Sequence, residues 1–162
     1  MTKRASSDTT KYPSARLTGM KDFMQWATEI RQKPAKIDIA LFKKLAMAKG
    51  KESEAVKALR FLGIIDQGGV PTIEFDSLRN DYQPTLRRLA EASYADLLNL
   101  IPPRMINQKR LVNFFGPPVE TAEYQSKLFV WICEQAGIEL PNVEKRFHRA
   151  RFDKKKDAKS SS

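Results

Sequence analysis

Catalysis and metal binding draw on histidines, thiols and grouped carboxylates, and this 162-residue chain has one histidine, His148, and one cysteine, Cys133. His148 sits in a stretch rich in lysine and arginine near the C-terminus, where no element is expected to hold a Ser-His-Asp or Cys-His arrangement. Cys133 falls among Phe129, Val130 and Ile132 at helical spacing, the setting of a buried thiol rather than a nucleophile or ligand. Together the two cannot form a four-ligand zinc site, and the acidic residues lack the Asp-x-Asp or Glu-x-x-His spacing that calcium, magnesium or iron would need. Neither a Gly-x-x-x-x-Gly-Lys loop nor a Gly-x-Gly-x-x-Gly fingerprint is present, and a turn accounts for the Gly68-Gly69 pair. The inventory points to a protein that binds rather than an enzyme, with no metal and no cofactor.

The chemistry that remains is that of cations. The formal charge is +10, and a surplus of this kind drives binding only where it is gathered on one surface or tail. Residues 1–16 hold four basic and one acidic side chain, and residues 142–162 hold eight basic and three acidic. Residues 31–60 carry nine basic groups against Asp38, Glu52 and Glu54, whereas residues 61–141 carry seven basic against ten acidic. Two sets of residues therefore look suited to phosphate. One is Lys49, Lys51, Ser53, Lys57 and Arg60, on or just before one face of a helix, where Lys and Arg can neutralise phosphates or address guanine edges. The other is Lys145, Arg146, Arg149 and Arg151, interleaved with Phe147, His148 and Phe152 and followed by Lys154, Lys155 and Lys156. That pattern suits phosphate contact with aromatic stacking.

The elements that must position these groups are mostly helical. Residues 1–14 are polar and too poor in apolar side chains to offset ordering entropy, so the segment to about residue 16 is expected to be a disordered basic N-terminus. From Leu17, apolar residues Met20, Phe23, Met24, Ala27 and Ile30 recur at helical steps, with Thr18 as N-cap, and the run ends before Pro34. Asp38 caps a second helix with Leu41, Phe42 and Leu45 as its stripe and Lys43 and Lys44 outside. A third helix, built on Ala55, Val56, Leu59 and Leu62, stops at Gly63. Ile64-Ile65-Asp66, a Gln67-Gly68-Gly69 turn and Val70-Pro71-Thr72 then read as a short β-hairpin with Pro71 on an edge strand.

Three helices and a small hairpin is the winged-helix order, with the third helix as the groove-entering element and Gln67 and Gly68 against the flanking backbone. After a loose connection over residues 73–82, with at most one helical turn, Pro84 opens a long helix through Leu86, Leu89, Leu97 and Ile101. Asn107 caps a short helix carrying Leu111, Phe114 and Phe115, and a last helix runs from about Val119 to Ala136 and stops at Gly137.

The run Ala58-Leu59-Arg60-Phe61-Leu62-Gly63-Ile64-Ile65-Asp66, followed by Gly68-Gly69-Val70-Pro71-Thr72, resembles a bacterial domain-of-unknown-function family, the one numbered fifty-three forty-three. The likeness extends over most of residues 12–140, through a leading Tyr12-Pro13, a long middle helix, and a Phe114-Phe115 helix followed by another from Thr121 to Ala136. That family has no established activity, so the resemblance implies an architecture and not a function.

The sequence thus predicts a mainly α protein. Its expected parts are a basic N-terminus (1–16), a winged-helix-like half (17–82), a three-helix unit (83–141) and a flexible basic tail (142–162). The expected partner is nucleic acid, above all duplex DNA, held by the third helix and the wing, with the tail clamping phosphates. The 83–141 helices are expected to join protomers as a homodimer or to dock a protein partner. The alternative is a protein-interaction module in which the same scaffold never touches DNA. No apolar run approaches the roughly 20 residues of a membrane span, and no signal-peptide segment precedes the fold, so the expected location is the cytoplasm or the nucleoid.

Overall fold

A computed structural model describes residues 11–143; most of the expected C-terminal tail, with Lys145, Arg146, Arg149, Arg151, Lys154, Lys155 and Lys156, lies outside them. The first helix, α1 (Leu17–Glu29), buries Gly19, Met20, Phe23, Met24 and Ala27, the three-and-four spacing that puts one stripe on the core. It begins at Leu17, so Thr18 lies inside the helix and the expected cap there is absent; Arg16 stands at the N-cap without a side-chain hydrogen bond. Its C-terminal carbonyls are served from afar, because the Arg79 guanidinium donates to the carbonyls of Ala27 and Ile30. In α2 (Ile39–Lys44) the Asp38 carboxylate accepts the Leu41 N–H at 3.0 Å, as its position predicts. Helix α3 (Glu52–Leu62) ends at Gly63 with φ 83°, a left-handed stop that glycine adopts without steric cost.

The hairpin expected after this stop is not formed. Among the described residues there is no β-strand, only one isolated bridge between Ile65 and Pro71. Two backbone hydrogen bonds, Asp66 N–H to Val70 O at 2.9 Å and Thr72 N–H to Ile64 O at 3.0 Å, close the loop but do not extend it. Pro71 has no N–H to add to a ladder. Thr72 is the last residue to pair, because it also caps the next helix, its hydroxyl accepting the Glu74 N–H. The loop is also tied down, with Ile37 donating to Gly69 O at 2.7 Å and Ile64 and Ile65 buried. The fold is mainly α, and residues 64–72 form a packed turn rather than a projecting wing.

The stretch expected to be a loose connection is a regular helix, α4 (Ile73–Asn80), with Phe75 and Leu78 in the core. The expected long middle helix is two: α5 (Tyr82–Ser93) and α6 (Ala95–Leu100) meet at Tyr94, whose ring is fully buried. A 3₁₀ turn (Pro103–Met105) leads to α7 (Gln108–Phe115), capped by Asn107 as predicted, with its carboxamide oxygen accepting Arg110 N–H at 2.8 Å. Helix α8 (Val119–Ala136) follows and stops at Gly137, φ 75°. Helix α5 packs on α8, on α4 and on α3, so one apolar core runs through both expected halves.

Of the segment expected to be disordered, residues 1–10 lie outside the described residues, and residues 11–16 contribute to that core instead of lying free. Tyr12, Pro13 and Ala15 are buried. The Tyr12 ring stacks on Tyr94 with centroids 5.8 Å apart and meets the edges of Phe61, Phe114 and Phe115 at 5.4–5.7 Å. Gln125 donates to the Tyr12 carbonyl at 2.9 Å, and the Arg16 guanidinium lies 4.3 Å from the Tyr124 ring centre. Residues 11–16 are therefore a strap binding the first half to the second. At the other end Val143 is buried, and the Asn142 carboxamide donates to the Arg104 carbonyl.

Candidate nucleic-acid interface

The turn joining α2 to α3 is where the cations gather. Lys43 and Lys44 end α2, Lys49 and Lys51 precede α3, and all four are exposed. None of the four makes an ion pair among the described residues. Met47 anchors the turn, buried and donating its N–H to Phe42 O at 2.9 Å, and Lys51 closes it onto Ala48 O at 2.7 Å. Ala46 and Ala48 are held at φ 55° and 54°, a left-handed conformation that costs an L-residue roughly 1–2 kcal/mol. Packing explains how Ala48 is kept there: it rests on Gly19 of α1, where an added Cβ would come within 2.6 Å of the Ala48 Cβ. The turn is a packed corner whose lysines are exposed to solvent.

Four carboxylates elsewhere on the surface have cations of their own. Lys11 pairs with Asp96, Lys33 with Asp76, Arg87 with Glu91 and Arg88 with Glu74, at 2.6–3.4 Å. Near the turn the carboxylate is Glu52, which turns back to accept the Gly50 N–H at 3.1 Å. Hydrogen bonds from its own and the Gly50 amide, helped by the charge of Lys43, hold its carboxyl below the usual range. Glu52 thereby occupies the N-terminus of α3 with an anion of the chain's own, on the favourable end of the helix dipole.

The residues expected to read a groove are not all brought together. Ser53 and Lys57 are exposed on α3, and Lys49 and Lys51 lie just before it. Arg60 lies nine residues beyond Lys51, about 13 Å along the helix axis, and is half-buried, with Nε enclosed and without a hydrogen-bond partner. Lys57 and Glu54 form one wall of a cleft of about 210 Å³ whose other walls include Pro13, Ser14, Pro117 and Thr121. The flank of α3 is thus bordered by the strap and by the corner between α7 and α8. Gln67 and Gly68 are exposed at the tip of the tied-down turn, beside the Asp66 carboxylate, which accepts the N–H groups of Gly68 and Val70 at 2.9 Å.

Lys43 and Lys44 belong with Lys49 and Lys51, although residue spacing along a helix face did not select them. The signal available was their place at the end of a short helix followed by Gly50, which marks a turn with cations on both sides. Among the aromatics of the second half, Phe115, Phe129 and Trp131 are buried, and Tyr124 lies under Arg16. Cys133 is buried too, and burial pushes its thiol far above the ordinary range. Among the described residues no three His, Cys, Asp or Glu side chains are grouped to hold a metal, and no helix is long and apolar enough to cross a membrane. No family model, curated protein or solved structure matches this chain.

Proposed function

We propose that this protein works by binding nucleic acid, with phosphates held on the lysine corner between α2 and α3. One observation carries the reading: Lys43, Lys44, Lys49 and Lys51 are exposed around one turn, and no carboxylate among the described residues lies within ion-pair distance of them, Glu52 acting on Lys43 through charge alone. Surface cations mated to carboxylates have little left for a polyanion, whereas unmated ones exchange bound counterions for phosphates at a gain set by salt. The basic C-terminal residues, Lys145 to Lys156, add charge of the same sign and on this reading strengthen the hold without selecting a sequence. The work is then one of regulation or assistance at DNA in the cytoplasm, rather than of catalysis.

Fluorescence anisotropy with a labelled DNA duplex over a salt series tests the reading. If the four lysines each neutralise one phosphate, together they contribute about 3.6 to the slope of log K against log salt. Replacing all four by alanine should flatten the slope by that amount. A slope unchanged by the substitutions would remove the corner from the binding surface.

A further inference from the structure

Resting on that reading, we infer that the corner grips the backbone of duplex nucleic acid without reading its bases, and that α3 does not enter a groove. A major groove about 12 Å wide admits one helix of about that diameter and little beside it. Helix α3 does not stand alone in that sense, because Pro13 and Ser14 of the strap and Pro117 and Thr121 of the α7–α8 corner border the cleft along its Lys57 flank. At its N-terminus the Glu52 carboxylate already accepts from its own amide and from that of Gly50. Arg60, the one arginine on the helix and the side chain best suited to a guanine edge, is held half-buried with its Nε enclosed.

The same surface lacks what single strands need. Single-strand binders stack bases on exposed aromatic rings, and among the described residues every aromatic side chain is buried or half-buried. Phe23 and Phe42 stack on each other beneath the corner instead of facing solvent. A surface of lysines without rings responds to phosphate density, which is higher along a duplex than along one strand. The corner should therefore favour duplex over single strand and treat duplexes of different sequence alike.

The test uses the full chain in anisotropy titrations with duplexes of equal length and unrelated sequence, and with one of their single strands. Affinities across the duplexes should agree within about threefold, since phosphate contacts carry no sequence information. Replacing Lys43, Lys44, Lys49 and Lys51 by alanine should weaken all duplexes by one common factor, and by a larger factor than it weakens the single strand. Ser53→Ala and Lys57→Ala should leave the ratios between duplexes unchanged. A preference for one duplex beyond about fivefold, the lower bound for a good base contact, that Ser53→Ala or Lys57→Ala abolishes would overturn the inference while leaving nucleic-acid binding intact. Equal or greater loss on the single strand would overturn the duplex preference. Failure to bind any of the probes would instead sink the proposed function itself.

Discussion

Replacing Tyr12 by alanine is the most direct probe of how the two halves are joined. The ring is 8% exposed and touches four other rings, Tyr94 face to face and Phe61, Phe114 and Phe115 edge-on. Truncating a buried aromatic to alanine costs about 3–5 kcal/mol. We take about 3, because a strap near the chain end can settle partly into the space left. The entropy of unfolding is about 2.1 cal/mol/K per residue near the midpoint, so the roughly 130 described residues correspond to about 0.3 kcal/mol/K. The melting temperature should therefore fall by about 10 °C, as read by circular dichroism or calorimetry on the full chain. Tyr12→Phe keeps the ring and should retain most of the stability. A cycle pairing Tyr12→Ala with Phe114→Ala should return a coupling of about 0.5–1.5 kcal/mol. If Tyr12→Ala melts within about 2 °C of wild type, residues 11–16 contribute nothing to the folded state and the strap does not exist in solution.

Gly19→Ala should destabilise by about 1–3 kcal/mol, because its Cβ would come 2.6 Å from that of Ala48 and force the corner to move. Adding Ala48→Gly should restore part of that loss, since it removes the opposing methyl at a φ of 54° that glycine adopts freely; denaturant midpoints of the single and double variants decide it. Tyr94→Phe should stabilise by about 1 kcal/mol in thermal melts, because the Tyr94 hydroxyl is buried with no hydrogen-bond partner in the structure. Tyr82 is half-buried with its hydroxyl donating to Gln135 at 2.8 Å, and burial pushes its pKa up to about 12. A raised folded pKa means its contribution is fully present below the unfolded value of about 10 and is lost as pH rises through 12. Stability should fall over that window, and Tyr82→Phe should flatten part of the fall; an identical pH profile in the variant would refute the assignment.

Much of the helical framework was legible in the residues, but the features that set the candidate site were less so. The αL stops at Gly63 and Gly137 and the caps at Asp38 and Asn107 were read correctly. The Thr18 cap failed because α1 begins one residue earlier, at Leu17, which leaves Arg16 at the N-cap and Thr18 inside the first turn. The hairpin failed because two short arms with a proline in one cannot sustain a ladder once Thr72 turns to cap α4. A periodic pattern through Leu86 and Leu97 concealed the break at Tyr94, since the same residue that interrupts the helix also fills the core. Of the expected contact residues, Lys49 and Lys51 fall on the cationic corner and Ser53 and Lys57 on the adjoining face of α3, Arg60 lies farther along that helix and half-buried, and Gln67 and Gly68 are exposed at the tip of a packed turn.

Caps and stops involve groups within a few residues of one another, so a single chain segment contains all the chemistry that decides them. The concentration of positive charge in residues 31–60 is likewise a property of the chain alone. Which of those charges face solvent, and whether α3 is free or flanked, depends on partners far away in sequence. Gln125 reaches Tyr12 across 113 positions, Lys11 reaches Asp96 across 85 and Arg79 reaches Ala27 across 52. Such contacts form only when the core closes, because burial of the strap and the corner is what makes ordering those segments favourable.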